Sequence, residues 1–204
     1  ACCLVGSEMC IRDRTRGNLN PLPLAVSPLS IDEESRKGFE KILKKENIGS
    51  EISNIVENNL RTSGLFNPLD KKAFLQAPDI ANLKPRFEDW NLIKAQALIT
   101  GKVNYVDDKL RVEFRLWDVL AAKEMMALAF TTVPNNWRRV GHIISDKVYE
   151  RLTGEKGYFD TRIIYVSEEG PKTQRIKKLA IMDQDGANNK FLTLGNELVL
   201  TPRF

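Results

Sequence analysis

Between residues 96 and 133 the chain alternates in a way that leaves few folds open. In KLRVEFRLWDV (109–119), Leu110, Val112, Phe114 and Leu116 fall on one side, while Arg111, Glu113, Arg115 and Trp117 fall on the other. A period of two is that of an extended strand, and one apolar side means one buried face. QALITGKVNYV (96–106) precedes it across Asp107 and Asp108, residues that tolerate the left-handed backbone of a tight hairpin. KEMMALAFTTV (123–133) continues the run. Three strands joined in this way predict an antiparallel meander, whose apolar face needs a second layer over it.

Two stretches supply that layer. IGSEISNIVENNLRTSG (48–64) places Ile52, Ile55, Val56 and Leu60 at helical spacing, with Ser50 expected as the cap and Gly64 as the left-handed stop. WRRVGHIISDKVYERLTG (137–154) carries a stripe of Trp137, Val140, Gly141, Ile144, Val148 and Leu152, with Asn136 expected to cap it and Gly154 to end it. PLPLAVSPL (21–29) reads as a short buried strand that its prolines confine to a start or an edge. The densely charged 31–47, anchored only by Phe39, Ile42 and Leu43, predicts a solvated short helix or loop. LFNPLD (65–70) predicts a brief strand or turn, and Pro78 and Pro85 mark a loop. RFEDWNLIKA (86–95) predicts a short helix burying Trp90 and either Ile93 or Leu92. The expected fold class is an α/β amino-terminal domain over 15–157, a mixed sheet with two packed helices.

From Tyr158 onward the texture changes. FDTRIIYVS, IKKLAIMDQDG and KFLTLG are short strands separated by turn residues, with no helical stretch between them. This spacing suggests one blade of a β-propeller or one edge of a sandwich. A blade takes about 40–45 residues, so 158–204 is expected to be the first blade of a truncated propeller. The sequence is expected to be cut at both ends.

LVGSEMCIRDR (4–14) fails as a targeting signal, because Glu8, Arg12, Asp13 and Arg14 break any apolar core. Cys2, Cys3 and Cys10, with no nearby histidine, make a poor zinc set. Read codon by codon, 4–13 looks like one translated frame of a transposon-end sequencing adapter, so residues 1–14 are expected not to be native. No cysteine then remains in 15–204. With 31 basic and 27 acidic residues and a net charge of +4, the surface is mixed and does not demand nucleic acid. No apolar run reaches the 18 or so residues of a membrane span.

Candidate chemistry is sparse. His142 is the one histidine, and its neighbours Ser145 and Asp146 share its helix rather than a cleft, so it is expected to be a packing residue. DQDGAN (183–188) begins like a calcium loop, but Gly186 comes too early and Leu194 stands where an acid should close it. A tight turn between blade strands is expected instead. Arg138 and Arg139 read as surface charges. No G-x-S-x-G elbow and no glycine-rich phosphate loop occurs. The expectation is no catalytic, cofactor-binding or metal residue, no cofactor, no nucleic-acid partner and no small-molecule substrate.

Several stretches in order resemble one family. IGSEISNIVENNLRTSGLFNPLD (48–70), NPLPLAV (20–26), DKVYERLTGEKGYFDTRIIYV (146–166), LAIMDQDGANNK (179–190) and LVLTPRF (198–204) are similar to segments of the TolB family. The charged stretch 31–47 is longer than the family's usual one, and the later blades are missing. The resemblance implies a non-enzymatic periplasmic scaffold of the Tol–Pal system. In that family the propeller binds the outer-membrane lipoprotein Pal, and the extreme amino terminus contacts inner-membrane TolA. Together they support outer-membrane integrity and its constriction in cell division. The resemblance also implies that the amino-terminal domain couples one partner to the propeller across TGEKGYF (153–159). Both contact surfaces are expected in missing segments, so no partner-binding residue is carried over. The competing expectation is a propeller-gated serine hydrolase of prolyl-oligopeptidase type whose catalytic domain is missing.

Overall fold

A computed structural model describes residues 20–171 and 175–195. The adapter-like stretch 1–14, all three cysteines and the LVLTPRF segment lie outside the described residues.

The antiparallel half forms as the alternation predicts. β1 is Leu22–Val26, β2 Ser30–Ile31, β3 Phe66–Pro68, β4 Ala97–Val106, β5 Lys109–Asp118 and β6 Lys123–Thr132. They make one six-stranded sheet in the order β3-β1-β4-β5-β6, with β2 pairing with β4. Asp107 and Asp108 turn the β4–β5 hairpin at φ 51° and 57°, the left-handed pair that such a turn requires. β4, β5 and β6 are antiparallel, whereas β1 pairs in parallel with both β3 and β4. The sheet is therefore mixed.

β1 is not an edge, despite its prolines. Leu22 and Leu24 bond toward β3, while the Pro23 carbonyl accepts from the Gln96 N–H at 2.9 Å on the β4 side. Pairing with β4 begins only at Leu24, so the N–H that Pro23 lacks would have met no ladder partner. The expected start position holds; the edge position does not.

Helices cover the sheet on both faces. α1 is Glu33–Leu43, α2 Ile48–Thr62, α3 Pro78–Leu83, α4 Phe87–Leu92 and α5 Trp137–Thr153. Leu24, Val26, Ile99, Val112, Phe114 and Leu116 point into the main core with Ile52, Val56 and Leu60 of α2 and Val140, Ile144 and Val148 of α5. The alternate residues Ala25 and Leu98 point the other way, into a smaller core with Ala81, Trp90, Ala95 and Val119. The two-helix expectation is thus too small. Pro78 marks α3 as a loop in the sequence, yet it occupies the helix's first turn, where proline's missing N–H has no partner to lose. In α4, Trp90 is buried as expected and Ile93 packs with it, while Leu92 is exposed.

The charged stretch 31–47 holds a full helix. Asp32 caps α1 by accepting from the Ser35 N–H at 2.7 Å, and Phe39 is fully buried edge-on to Tyr105 at 5.2 Å. Ile42, expected as an anchor, is exposed. Two other caps differ from expectation. Asn47, not Ser50, caps α2, because Ile48 is already buried and Gly49 presses on the Leu29 carbonyl, where a Cβ would come to 2.1 Å. Asn136 does not cap α5; it closes a 3-10 turn (Pro134–Asn136) and donates to Thr132 Oγ1 at 3.1 Å. Gly64 and Gly154 do stop their helices with φ of 74° and 78°.

Beyond α5, β7 (Arg162–Glu169), β8 (Ile176–Asp183) and β9 (Lys190–Phe191) form a separate antiparallel three-stranded sheet. DQDGAN is its tight turn, closed by Gly186 N–H to Asp183 O at 2.9 Å and by Gly186 at φ 82°. Among the described residues no helix is long and apolar enough to cross a membrane.

Candidate functional site

The two sheets meet along α5, and the meeting has two sides. On one side runs the connector from Gly154 to Arg162. Asp146 of α5 accepts from the Phe159 N–H at 2.6 Å and from the Asp160 N–H at 3.1 Å. Gly157 lets the chain pass this close, since a Cβ there would lie 2.4 Å from Asp146 Cα. Phe159 is fully buried in the main core and meets Tyr149 at 5.8 Å, edge to face. Burial pushes the Tyr149 phenol above its ordinary value, with Glu155 and Tyr158 adding to the shift. Arg139 grips Asp160 side-on, with Nε at 3.2 and 3.1 Å from the two oxygens and Nη2 at 3.1 Å from Oδ2.

On the other side the β8–β9 turn reaches back to α5. Asp185 Oδ2 accepts from Arg138 Nη2 and stands 3.8 Å from His142 Nε2. Asp185 Oδ1 accepts from the Ala187 N–H at 3.1 Å. His142 is 3 % exposed, and its Nδ1 accepts from Asn59 Nδ2 of α2 at 2.9 Å. The same amide nitrogen donates to Ser145 Oγ at 3.0 Å, and that hydroxyl donates to the Gly141 carbonyl at 2.9 Å. Between the two sides lies a cleft of about 380 Å3, bordered by Asn136, Arg139, Thr161, Arg162 and Asn188 among others.

His142, Asp183 and Asp185 bring three potential ligand atoms within 4.8 Å of one another, a grouping that sequence spacing did not suggest. Its surroundings suit hydrogen bonding more than a cation. Asp185 already faces the Arg138 guanidinium, and Asp183 accepts from Asn188 Nδ2 with Arg162 at 3.9 Å. With Nδ1 taken up as an acceptor, the neutral ring carries its proton on Nε2, which makes that atom a donor and not a ligand.

His142 is buried within its helix, with Ser145 beside it. Arg138 and Arg139 are not free surface charges: both reach across the junction to acids. Asn59, Asp146, Asp160 and Asp185 were not singled out as junction residues. Their partners are 13 to 86 residues away in sequence, so no local spacing marks them.

A family model described as the TolB amino-terminal domain matches residues 13–125, and one described as the TolB beta propeller domain matches residues 149–204. The Tol-Pal system protein TolB of Pelagibacter ubique (strain HTCC1062) is 86% identical over 192 residues, which is 94% of this chain and 43% of that protein. The crystal structure of TolB from Acinetobacter baumannii matches with a TM-score of 0.71 at 25% identity, covering 89% of this chain and 41% of that one. The chain spans less than half the length of both. With a mixed sheet sandwiched by helices, a three-stranded propeller segment joined to its last helix, and these matches, the chain belongs to the TolB family.

Proposed function

We propose that this chain is part of a periplasmic, non-enzymatic scaffold of the Tol–Pal system, with Pal and TolA as protein partners. One observation carries the reading: the 86% identity to a Tol-Pal system protein across 94% of the chain. On this reading 15–157 is the amino-terminal domain, 158–204 opens the propeller and 1–14 is not native. No cofactor, nucleic acid or small substrate is required. The junction's part is mechanical: Phe159 and Asp146 hold the first blade in a set relation to the α/β unit, so that binding at one end is felt at the other.

The competing serine-hydrolase reading places its catalytic domain outside this chain, and Ser145 and His142 are not the residues it would use. Ser145 is fully buried and its hydroxyl donates back to its own helix, while the Nδ1 of His142 faces an amide and not a carboxylate. A triad needs an exposed nucleophile and a base oriented by an acid.

Titration calorimetry of the full-length protein against the soluble domains of Pal and TolA tests the scaffold reading. Binding to either supports it. Binding to neither, together with turnover of a p-nitrophenyl ester, overturns it in favour of the hydrolase. Resequencing the locus without a transposon-based library tests the status of 1–14: loss of the codons for 4–13 is expected, and their persistence in the genome makes the stretch native.

A further inference from the structure

Two buried donors at the junction are left without an acceptor. Among the described residues, Arg138 Nε and His142 Nε2 are both shielded from solvent and unpaired. Both side chains converge on the carboxylate of Asp185. Arg138 touches it only through Nη2, although Nε–H lies on the same side of the planar fork. The adjacent pair, Arg139 with Asp160, shows the finished side-on arrangement in which Nε and Nη2 both engage. His142 Nε2, the donor nitrogen, stops at 3.8 Å from Asp185 Oδ2, beyond hydrogen-bond length. An inward shift of the turn by about 1 Å brings that oxygen within bonding range of the ring.

We propose that the β8–β9 turn has a second, closed seat on α5, in which Asp185 accepts from Nε and Nη2 of Arg138 and from Nε2 of His142. The seat is a latch between the first blade and the α/β unit. Its driving force is the pairing of two donors that burial has already stripped of water. The part that shifts in this proposal is a tight turn whose Asp185 side chain is 25% exposed. The contact does not end at α5: His142 is held by Asn59 of α2, so closure couples the blade to the second helix as well. The inference concerns this chain alone and stands whether or not the partner reading holds.

Amide exchange on the full-length protein, read in peptides covering 183–192, tests the latch. His142→Asn keeps an acceptor for Asn59 but cannot reach Asp185, and the exchange of the turn is expected to rise about tenfold, the effect of one charge-assisted hydrogen bond. His142→Gln restores an N–H near the Nε2 position and is expected to return exchange toward that of the parent. Arg138→Lys keeps a positive charge on Asp185 without the fork, leaves the Asn59 pair intact, and should raise exchange of the turn as well. An unchanged turn in both His142→Asn and Arg138→Lys overturns the latch, and so does an equal rise in His142→Asn and His142→Gln. Protection of the turn by added Zn2+ that depends on His142 also overturns it, in favour of a metal site.

Discussion

Gln76 is 4% exposed beneath the smaller core, with each end of its amide in use. Its Oε1 accepts from the Arg86 N–H at 3.0 Å and from Trp90 Nε1 at 3.1 Å, and its Nε2 donates to the Lys84 carbonyl at 3.0 Å. One side chain thus ties the connection after α3 to the indole that fills this core. Gln76→Ala leaves the indole N–H and two main-chain groups unpaired, and is expected to cost about 2–4 kcal/mol, read as a fall in denaturant midpoint at unchanged slope. Gly49 offers a second test at this scale. A Cβ there collides with the Leu29 carbonyl, part of the main chain, at 2.1 Å, whereas a Cβ at Gly141 meets the Ile55 side chain at 3.0 Å. Gly49→Ala should therefore cost about 1–3 kcal/mol, and Gly141→Ala clearly less, because a side chain yields more readily than a main-chain carbonyl. Equal thermal shifts for the two variants would sink this argument.

Among the elements, α1 depends on its cap and the β7–β8 hairpin on its charges. Asp32 receives both the N–H and the hydroxyl of Ser35, and the Ser35 oxygen in turn accepts from the Tyr105 N–H of β4 at 2.8 Å. Asp32→Ala is expected to cost about 1 kcal/mol and to speed amide exchange across α1 first. In the hairpin, hydrogen bonds from Lys177 and then Arg175 pull Glu168 below its ordinary value of 4.5. A depressed carboxyl adds stability that is present above 4.5 and lost as pH falls through the lower, folded value. The group is open to solvent, so the effect is small. NMR titration should place the Glu168 carboxyl below 4.5, with hairpin exchange rising only under that pH.

The contrast between what was legible and what was not runs along the same elements. β4, β5 and β6 were readable because alternation and hairpin turns are written within about a dozen residues. The buried stripes of α2 and α5 were readable for the same reason. The parallel half was not: Leu24 pairs with Pro68 and with Ala97, partners that only the folded chain brings together. α3 was missed because six residues give no period to read, and because a proline signals a helix start as well as a loop. At the junction, Asp146 carries no local mark of its task. Its value lies in the main-chain N–H groups of Phe159 and Asp160, which could only be assigned once the connector was seen to fold back.

At the scale of the whole molecule, the connector decides whether two sheets behave as one body. Phe159 lies two residues beyond the expected boundary at 157, yet it sits in the main core with no exposure. Phe159→Ala is expected to cost about 3–5 kcal/mol and to lower the melting of the α/β unit, not only that of the blade. Asp146→Ala is expected to act differently: it frees two N–H groups at the connector, so exchange within 157–162 should rise while the α/β unit melts nearly as before. Identical melting curves for the two variants would mean that the connector does not divide its duties in this way.

Trp90 lies 1% exposed in the smaller core, Trp117 packs against that same core and donates to Thr100, and Trp137 sits at the head of α5 with Lys45 at 4.9 Å and Arg138 at 5.4 Å. The molecule therefore carries one optical gauge at the smaller core and another at the junction without any label. A cation beside an indole shifts its emission and shortens its lifetime. Any event that repositions Arg138 should thus alter the signal of Trp137 and leave that of Trp90 as it was, so that movement at the junction can be followed by light alone, in real time.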